Sequence, residues 1–280
     1  MSKIGIIGGG IIGLNSAYYL QKSGHEVTVI DQSDLSNGCS YGNAGMIVPS
    51  HFIPLAAPGM VALGLKAAPP AGGEYILLVG GPSMYQWEKY KAVPHDHWWA
   101  NFVRAARLRT EQLRSQVGPD AKITWLIYKQ GYTDRATQEH QDLISLIGTV
   151  RDKFNINLIW FGPGKEVIDY LNHGQPRDQV KIVDFEYFGH SNRACFMFDY
   201  SNNIDSACKS WLHENDLKQL NRRAFARGAY VKSWGCHTGE SMSKKWYVAT
   251  GTHMIGAIGK TQFMMEELPI LCSEDGRWVN

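Results

Sequence analysis

An α/β fold is predicted by three observations. A short apolar strand, KIGIIG (Lys3 to Gly8), leads directly into a glycine-rich turn. A helical run, IIGLNSAYYLQKSG, follows and stops at Gly24. A second strand, HEVTVID (His25 to Asp31), comes next. Strand, helix and strand in so short a stretch form a βαβ unit, which implies a parallel sheet. The chain has 280 residues, 44% of them hydrophobic, enough for one large core or two modest ones.

From Gly38 to about Gly81 the sequence reads as loop. Pro49, Pro54, Pro58, Pro69 and Pro70 oppose long regular elements there. Beyond it, HWWANFVRAARLRTEQLRSQV reads as a helix and KITWLIY (Lys122 to Tyr128) as a strand. RATQEHQDLISLIGTVRDKF reads as one amphipathic helix, INLIWF as a strand and GKEVIDYLN as a short helix. QVKIVDFEYF and RACFMFDY are expected as two strands of a mixed sheet. NNIDSACKSWLHENDLKQLNRRAFARG is expected as a long helix, AYVKSW and KWYVATG as the last strands, and KTQFMMEEL as a final helix.

Composition narrows the function classes. The net charge of +2 and the scattered basic residues give no reason to expect a nucleic-acid partner; the excess at RAARLRTEQLR fits a solvated helix face. Five cysteines, an odd count without a CxxC, are the usage of a reducing compartment. The glycine-broken N-terminal apolar run is too short for a membrane helix, so the chain is expected to be cytoplasmic.

The turn GGGIIG holds the spacing Gly8-x-Gly10-x-x-Gly13. It leaves a strand, enters a helix and is followed by Asp31 at the end of the next strand, the context that makes this spacing specific for a dinucleotide. Gly8 permits the tight turn, Gly10 leaves room for a pyrophosphate, and Gly13 lets helix pack on strand. With Gly9, Ile11 and Ile12 they form the phosphate-facing turn, whose free N–H groups and dipole favour an anion. Asp31 can accept hydrogen bonds from ribose hydroxyls. The fingerprint alone does not separate NAD from FAD. The run GCSYGNAGMIVPS (Gly38 to Ser50), small and backbone-rich, suits chain laid against a flat, extended cofactor.

Lys3 through Met60 resembles the FAD-dependent D-amino-acid dehydrogenases, relatives of glycine and sarcosine oxidases. The specific part is the order Ser40, Asn43, Ala44, Gly45, Pro49, Pro54, Ala57, Pro58, Gly59. The resemblance implies a Rossmann-like FAD-binding domain with a second, smaller α+β substrate domain, and the loop from Gly38 to Ser50 beside the isoalloxazine ring. It assigns residues 1–60 plus 236–280 to the FAD-binding domain and 61–235 to the substrate domain. KITWLIYKQGYTD and RACFMFDYSNNIDSACKSWL resemble the entry to, and return from, that second domain. WYVATGTHMIGAIGKTQFMMEEL resembles a shortened closing segment, in which a strand ends in Thr250-Gly251, His253 follows and a helix starts near the flavin. Gly251, His253 and Gly256 are its cofactor-binding counterparts, and a helix N-terminus there would stabilise the charge of reduced flavin.

The implied reaction is oxidative deamination of an amino acid, a D-amino acid by preference, to a 2-oxo acid and ammonia. The dehydrogenase type implies a membrane quinone or another electron-transfer acceptor, and attachment at the inner face of a membrane. Two features depart from the family. Only GCHTGESMSKK separates Trp234 from Trp246, where the family has further strands, and SWGCHTGES lacks the arginine expected to bind the substrate carboxylate. Two alternatives therefore stay open: an FAD-binding relative impaired in turnover, and an NAD(P)-linked reductase.

The remaining candidates each have a structural reading beside the functional one. His51 and Tyr200 are the candidates for contact with substrate, against a polar loop residue and a packed strand end. His95 and His97 have a metal-like spacing without an evident third ligand, so no metal site is expected. Cys236-His237 could pair nucleophile and base, but neighbours in sequence do not normally face one another. Trp98, Trp99 and Phe102 form a stripe expected in a helix core.

Overall fold

A computed structural model describes residues 2–7, 11–31, 72–82, 98–200 and 208–280. The chain divides into two compact units, Met1–Lys66 and Ala67–Asn280. In the first, strand β1 (Lys3–Ile7) runs parallel to β2 (Glu26–Ile30), joined by helix α1 (Ile11–Lys22). Gly24 ends the helix connection in the left-handed region at φ 86°, a conformation that costs glycine least. The amide of His25 donates to Leu20 O at 3.1 Å, satisfying a carbonyl of the last turn.

The second unit is built on a seven-stranded sheet. Its strands are β3 (Glu74–Val79), β4 (Lys122–Tyr128), β5 (Asn157–Phe161), β6 (Ile182–Phe188), β10 (Phe225–Ser233), β11 (Met254–Ile258) and β14 (Arg277–Val279). They lie in the order β14-β11-β10-β6-β3-β4-β5, and every pairing is parallel except β11 with β14. Helices α2 (Asn101–Val117), α3 (Lys129–Glu139), α4 (Leu143–Phe154), α5 (Gly164–His173) and α6 (Met242–Thr250) connect them. A small antiparallel sheet holds β7 (His190–Ser191), β8 (Cys195–Met197) and β9 (Trp211–His213), and a hairpin pairs β12 (Thr261–Gln262) with β13 (Ile270–Leu271).

Alternating side chains of the central strands feed two cores. Ile76, Leu78, Leu126, Phe185 and Val231 pack with Val167 and Leu171 of α5 and Trp246 of α6. Tyr75, Leu77, Val79, Trp125 and Ile127 pack with Phe102, Ala106 and Leu113 of α2 and Ile147 of α4. Helices thus cover both faces. The chain winds from β3 outward through β4 to β5 with α2 and α4 on one face, and from β6 outward through β10 to β11 with α6 on the other. This is a doubly wound sheet, and its switch point lies between β3 and β6.

Several expectations are corrected. The second unit is the larger, and its main sheet is parallel, so it is not a smaller α+β domain. Residues 236–280 group with 67–235 rather than with 1–60, because β11 pairs with β10 inside this sheet. EYILLV, inside the run read as loop, is the buried centre of the sheet. The expected mixed-sheet pair separates: β6 lies in the parallel sheet and β8 in the small antiparallel one. The helix expected over RATQEHQDLISLIGTVRDKF splits where His140 takes φ 53° and Asp142 caps α4 by accepting from the Ser145 amide at 3.0 Å. In the long helix expected from Asn202, residues 208–227 instead hold β9, two short 3-10 turns (Asp216–Gln219 and Arg222–Ala224) and the start of β10. KWYVATG is helix, in α6, and KTQFMMEEL opens with β12 instead of a helix.

Polar groups are also buried in this unit. Arg109 of α2 reaches Asp184 at 3.3 Å and pairs with Glu186, which also accepts from Trp234 Nε1 at 2.6 Å. Burial first, and the neighbouring Glu186 second, push the Asp184 carboxyl well above its ordinary range, against the pull of Arg109. Next to them, burial pushes the Lys232 ammonium down to about 8, with Glu186 opposing and Arg109 assisting. Its Nζ lies 3.4 Å from the ring centroid of Trp234 and 4.1 Å from that of Trp278, and both contacts favour the charged form. Between about pH 8 and the unfolded lysine value near 10.4, the unfolded chain holds the proton that folded Lys232 has lost. Stability relative to Lys232→Met is therefore expected to rise with pH through that window, as read from urea unfolding at each pH. A flat difference would mean that the two indoles outweigh burial.

Candidate dinucleotide site

In the first unit, β1 and β2 are in register from Lys3↔Glu26 to Ile7↔Ile30. Their carboxyl ends are therefore level, and Asp31 stands beside the strand end from which residue 8 departs. Helix α1 begins at Ile11, with Gly13 in its first turn and no acidic residue there to oppose an anion. Basic Lys22 sits in its last turn, the favourable end for a cation. Asp31 is half-buried and already engaged in an interaction within the fold. This arrangement fits the adenine dinucleotide part of FAD: a helix N-terminus for the pyrophosphate, a carboxylate at the neighbouring strand end for a ribose. Gly8, Gly9 and Gly10 lie outside the described residues, as do the side chains of Ile11 and Ile12 and the whole of Ser40, Asn43, Ala44, Gly45 and His51.

The other candidates fall in the second unit. Gly251 follows α6 in the left-handed region at φ 75°, with the His253 ring stacked on Tyr247 at 4.4 Å and Gly256 inside β11. The closing segment therefore runs helix, turn, strand, the reverse of the expected strand, turn, helix, and no helix begins at Gly256. A side chain at Gly256 would press on the Gly239 amide and Ser243 Oγ, each 2.6 Å from its Cβ, so close packing accounts for that glycine. Tyr200 lies 5.3 Å from the His190 ring. His95 and His97 lie outside the described residues.

Cys236 and His237 part company. Cys236 Sγ accepts from the Thr261 amide at 3.3 Å. His237, at φ 61°, directs Nδ1 to Glu240 Oε1 at 2.6 Å. Among the described residues, no group of three metal-ligating side chains is gathered, and no helix is long and apolar enough to cross a membrane.

A family model described as FAD dependent oxidoreductase matches residues 3–169. A D-amino acid dehydrogenase of Helicobacter pylori is 50% identical over 64 residues, which are 23% of this chain and 16% of that protein. The D-amino acid dehydrogenase of Helicobacter pylori strain 26695 is 48% identical over the same length and shares. The match thus covers about one-sixth of the length of these relatives. No solved structure matches the chain. With the match extending over more than half of its residues, the chain belongs to the FAD dependent oxidoreductase family.

Proposed function

We propose that the chain binds FAD through its first unit and serves the oxidative deamination of an amino acid, a D-amino acid by preference, to a 2-oxo acid and ammonia. The observation that carries this reading is the βαβ geometry of a dinucleotide site in the first unit, in a chain with a 64-residue likeness, 50% identical, to D-amino acid dehydrogenases. Gly8, Gly10 and Gly13 would leave room for the pyrophosphate at the start of α1, and Asp31 would accept from the ribose. Ser40 and residues 43–45 would lie against the ring. Held there, FAD would supply the two-electron acceptor that the oxidation requires. The protein's part is to hold the substrate close to the ring and keep water out. An electron-transfer acceptor such as a membrane quinone belongs to the same reading.

The test is the visible absorption of the purified protein, alone and after anaerobic addition of a D-amino acid. Yellow protein that bleaches is the expected result. Yellow protein that does not bleach would favour a flavin-binding relative without turnover, a reading supported by the absence of the strand-turn-helix order around Gly251. Colourless protein that takes up no added FAD would overturn the proposal. Asp31→Ala is expected to weaken FAD affinity about tenfold or more, since a charge-assisted hydrogen bond contributes about 1.5–3 kcal/mol. Gly10→Val is expected to abolish binding by filling the space the pyrophosphate needs. Fluorescence titration with FAD reads both.

A further inference from the structure

We propose that Asp184 is held as a neutral carboxylic acid against the carboxylate of Glu186, and that this buried acid makes the joint between helix α2 and the central sheet a pH-sensitive latch, fastened with the proton and loosened without it. Every residue involved lies in Ala67–Asn280, so the proposal stands apart from the flavin reading.

Strand register assembles the cluster. Asp184 and Glu186 stand two residues apart on β6, so their side chains share a face of the sheet. Tyr75 of β3 is opposite Asp184 on one side and Tyr230 of β10 on the other; Leu77 and Lys232 take the same places beside Glu186. Arg109 closes the cluster from α2. Its Nη2 reaches Asp184 Oδ2 at 3.3 Å, and its Nε donates to Glu186 Oε1. Its guanidinium carbon lies 5.8 Å from the Tyr230 ring centroid. Asp184 and Glu186 are both buried.

One guanidinium thus faces two carboxyl groups, and their hydrogen bonds are unequal. Both oxygens of Glu186 accept, Oε1 from Arg109 and Oε2 from Trp234 Nε1 at 2.6 Å, which is the environment of an ionised carboxylate. Asp184 Oδ2 has the long contact with Arg109, and Oδ1 is buried with no hydrogen-bond partner among the described residues. An orphaned oxygen costs far less on a neutral acid than on a carboxylate, where both oxygens carry charge. The geometry therefore places the charge on Glu186 and the proton on Asp184, which share a side-chain hydrogen bond.

The other groups facing the pair agree with this. Lys232 turns its Nζ to the rings of Trp234 and Trp278, and among the described residues no ion pair joins it to either carboxyl. Arg109 stays charged, because Glu186 and then Asp184 outweigh the opposing burial. Burial pushes both phenols up, with Asp184 adding to it at Tyr75 and Glu186 at Tyr230, so both remain neutral. Burial, and after it Glu186, raises the Asp184 carboxyl itself.

With the proton in place, Arg109 and Glu186 neutralise one another. Once it leaves, two adjacent carboxylates compete for one guanidinium, and the repulsion falls on the contact that ties α2 to β6. In the unfolded chain an aspartate titrates at about 3.9. The stabilising contribution of the neutral acid is therefore complete below about pH 4 and is lost as pH rises through the raised folded value.

Asp184→Asn replaces the neutral acid by a neutral amide of similar shape. The infrared spectrum of the full chain at about pH 6, minus that of the variant, should show one protonated-carboxyl carbonyl band that shifts in D2O and vanishes at higher pH. In urea, the unfolding constant of the wild-type chain relative to Asp184→Asn should rise about tenfold from about pH 5 to about pH 6. As the band vanishes, amide exchange in α2 should quicken more in the wild-type chain than in the variant. Lys232→Met should keep the band, since the lysine is not the counter-charge. Carboxyl carbon NMR of the wild-type chain labelled at aspartate reads the same proton without a variant: one aspartate should titrate well above the others. If no aspartate is protonated at that pH by either spectroscopy, if the ratio of unfolding constants stays flat, or if α2 exchanges alike in both chains, the proposal is overturned.

Discussion

Arg177→Ala is expected to destabilise the second unit by about 3–5 kcal/mol, the cost of removing one partner from a buried ion pair. Glu74 opens β3 and is 0% exposed. Its carboxylate accepts from Arg177 Nη1, Thr124 Oγ1 and Tyr170 OH, each at 2.6 Å. Arg177 also donates to Tyr170 O at 3.0 Å and Leu171 O at 2.9 Å, carbonyls near the end of α5. One guanidinium therefore neutralises the first residue of the central strand and caps the helix behind it. Truncation leaves the carboxylate buried without a counter-charge and exposes two helix carbonyls to an apolar surrounding. Glu74→Gln with Arg177→Met should recover a large part of the loss, because it removes both charges together. Urea unfolding measures it, with a lower midpoint at unchanged slope. A loss under about 1 kcal/mol would mean that water reaches Glu74 once the arginine is gone.

The same strand illustrates what the sequence could and could not convey. KITWLIY and INLIWF are read correctly as strands because each apolar run is bounded by polar residues or turn signals and lies next to a helical pattern. EYILLV has no alternation, since both of its faces are covered, and it sits among glycines and prolines that argue for loop. Its first residue is a glutamate, which a local reading places at the surface; only the distant Arg177 makes its burial tolerable. WYVAT is misread in the other direction. Its β-favouring residues suggest a strand, yet packing on Phe185 and Phe225 selects a helix, an example of tertiary context overriding propensity.

The candidate sites differ in the same way. Gly8, Gly10, Gly13 and Asp31 fall within one short stretch of sequence, so the expectation of a dinucleotide site needs only their spacing and its strand-and-helix context, not a long-range pairing. Local reading sees Cys236 beside His237, which the fold turns apart: the thiol meets Thr261 and the imidazole meets Glu240. Those partners lie on β12 and in the turn before α6, and which segments meet is set by the adjacency of β6, β10 and β11, which no local spacing announces.

Trp246→Ala is expected to cost about 3–5 kcal/mol, the range for truncating a buried large aromatic. The side chain is fully buried, stacked on Phe185 at 4.9 Å and edge-on to Phe225 at 5.7 Å. Its Nε1 donates to Thr252 Oγ1 at 3.1 Å, tying α6 to the turn that enters β11. Phe185 and Phe225 belong to β6 and β10, so one indole fastens the crossover helix to two neighbouring strands of the sheet. Trp246→Phe keeps most of the apolar area and loses only the hydrogen bond, so about 1–2 kcal/mol is expected from it. Thermal and urea unfolding of the two variants separate packing from hydrogen bonding. If both cost the same, the bond to Thr252 rather than the stack holds α6 in place. If alanine costs less than about 1 kcal/mol, the helix is fixed by its other contacts, and the two strands do not depend on this residue for their alignment.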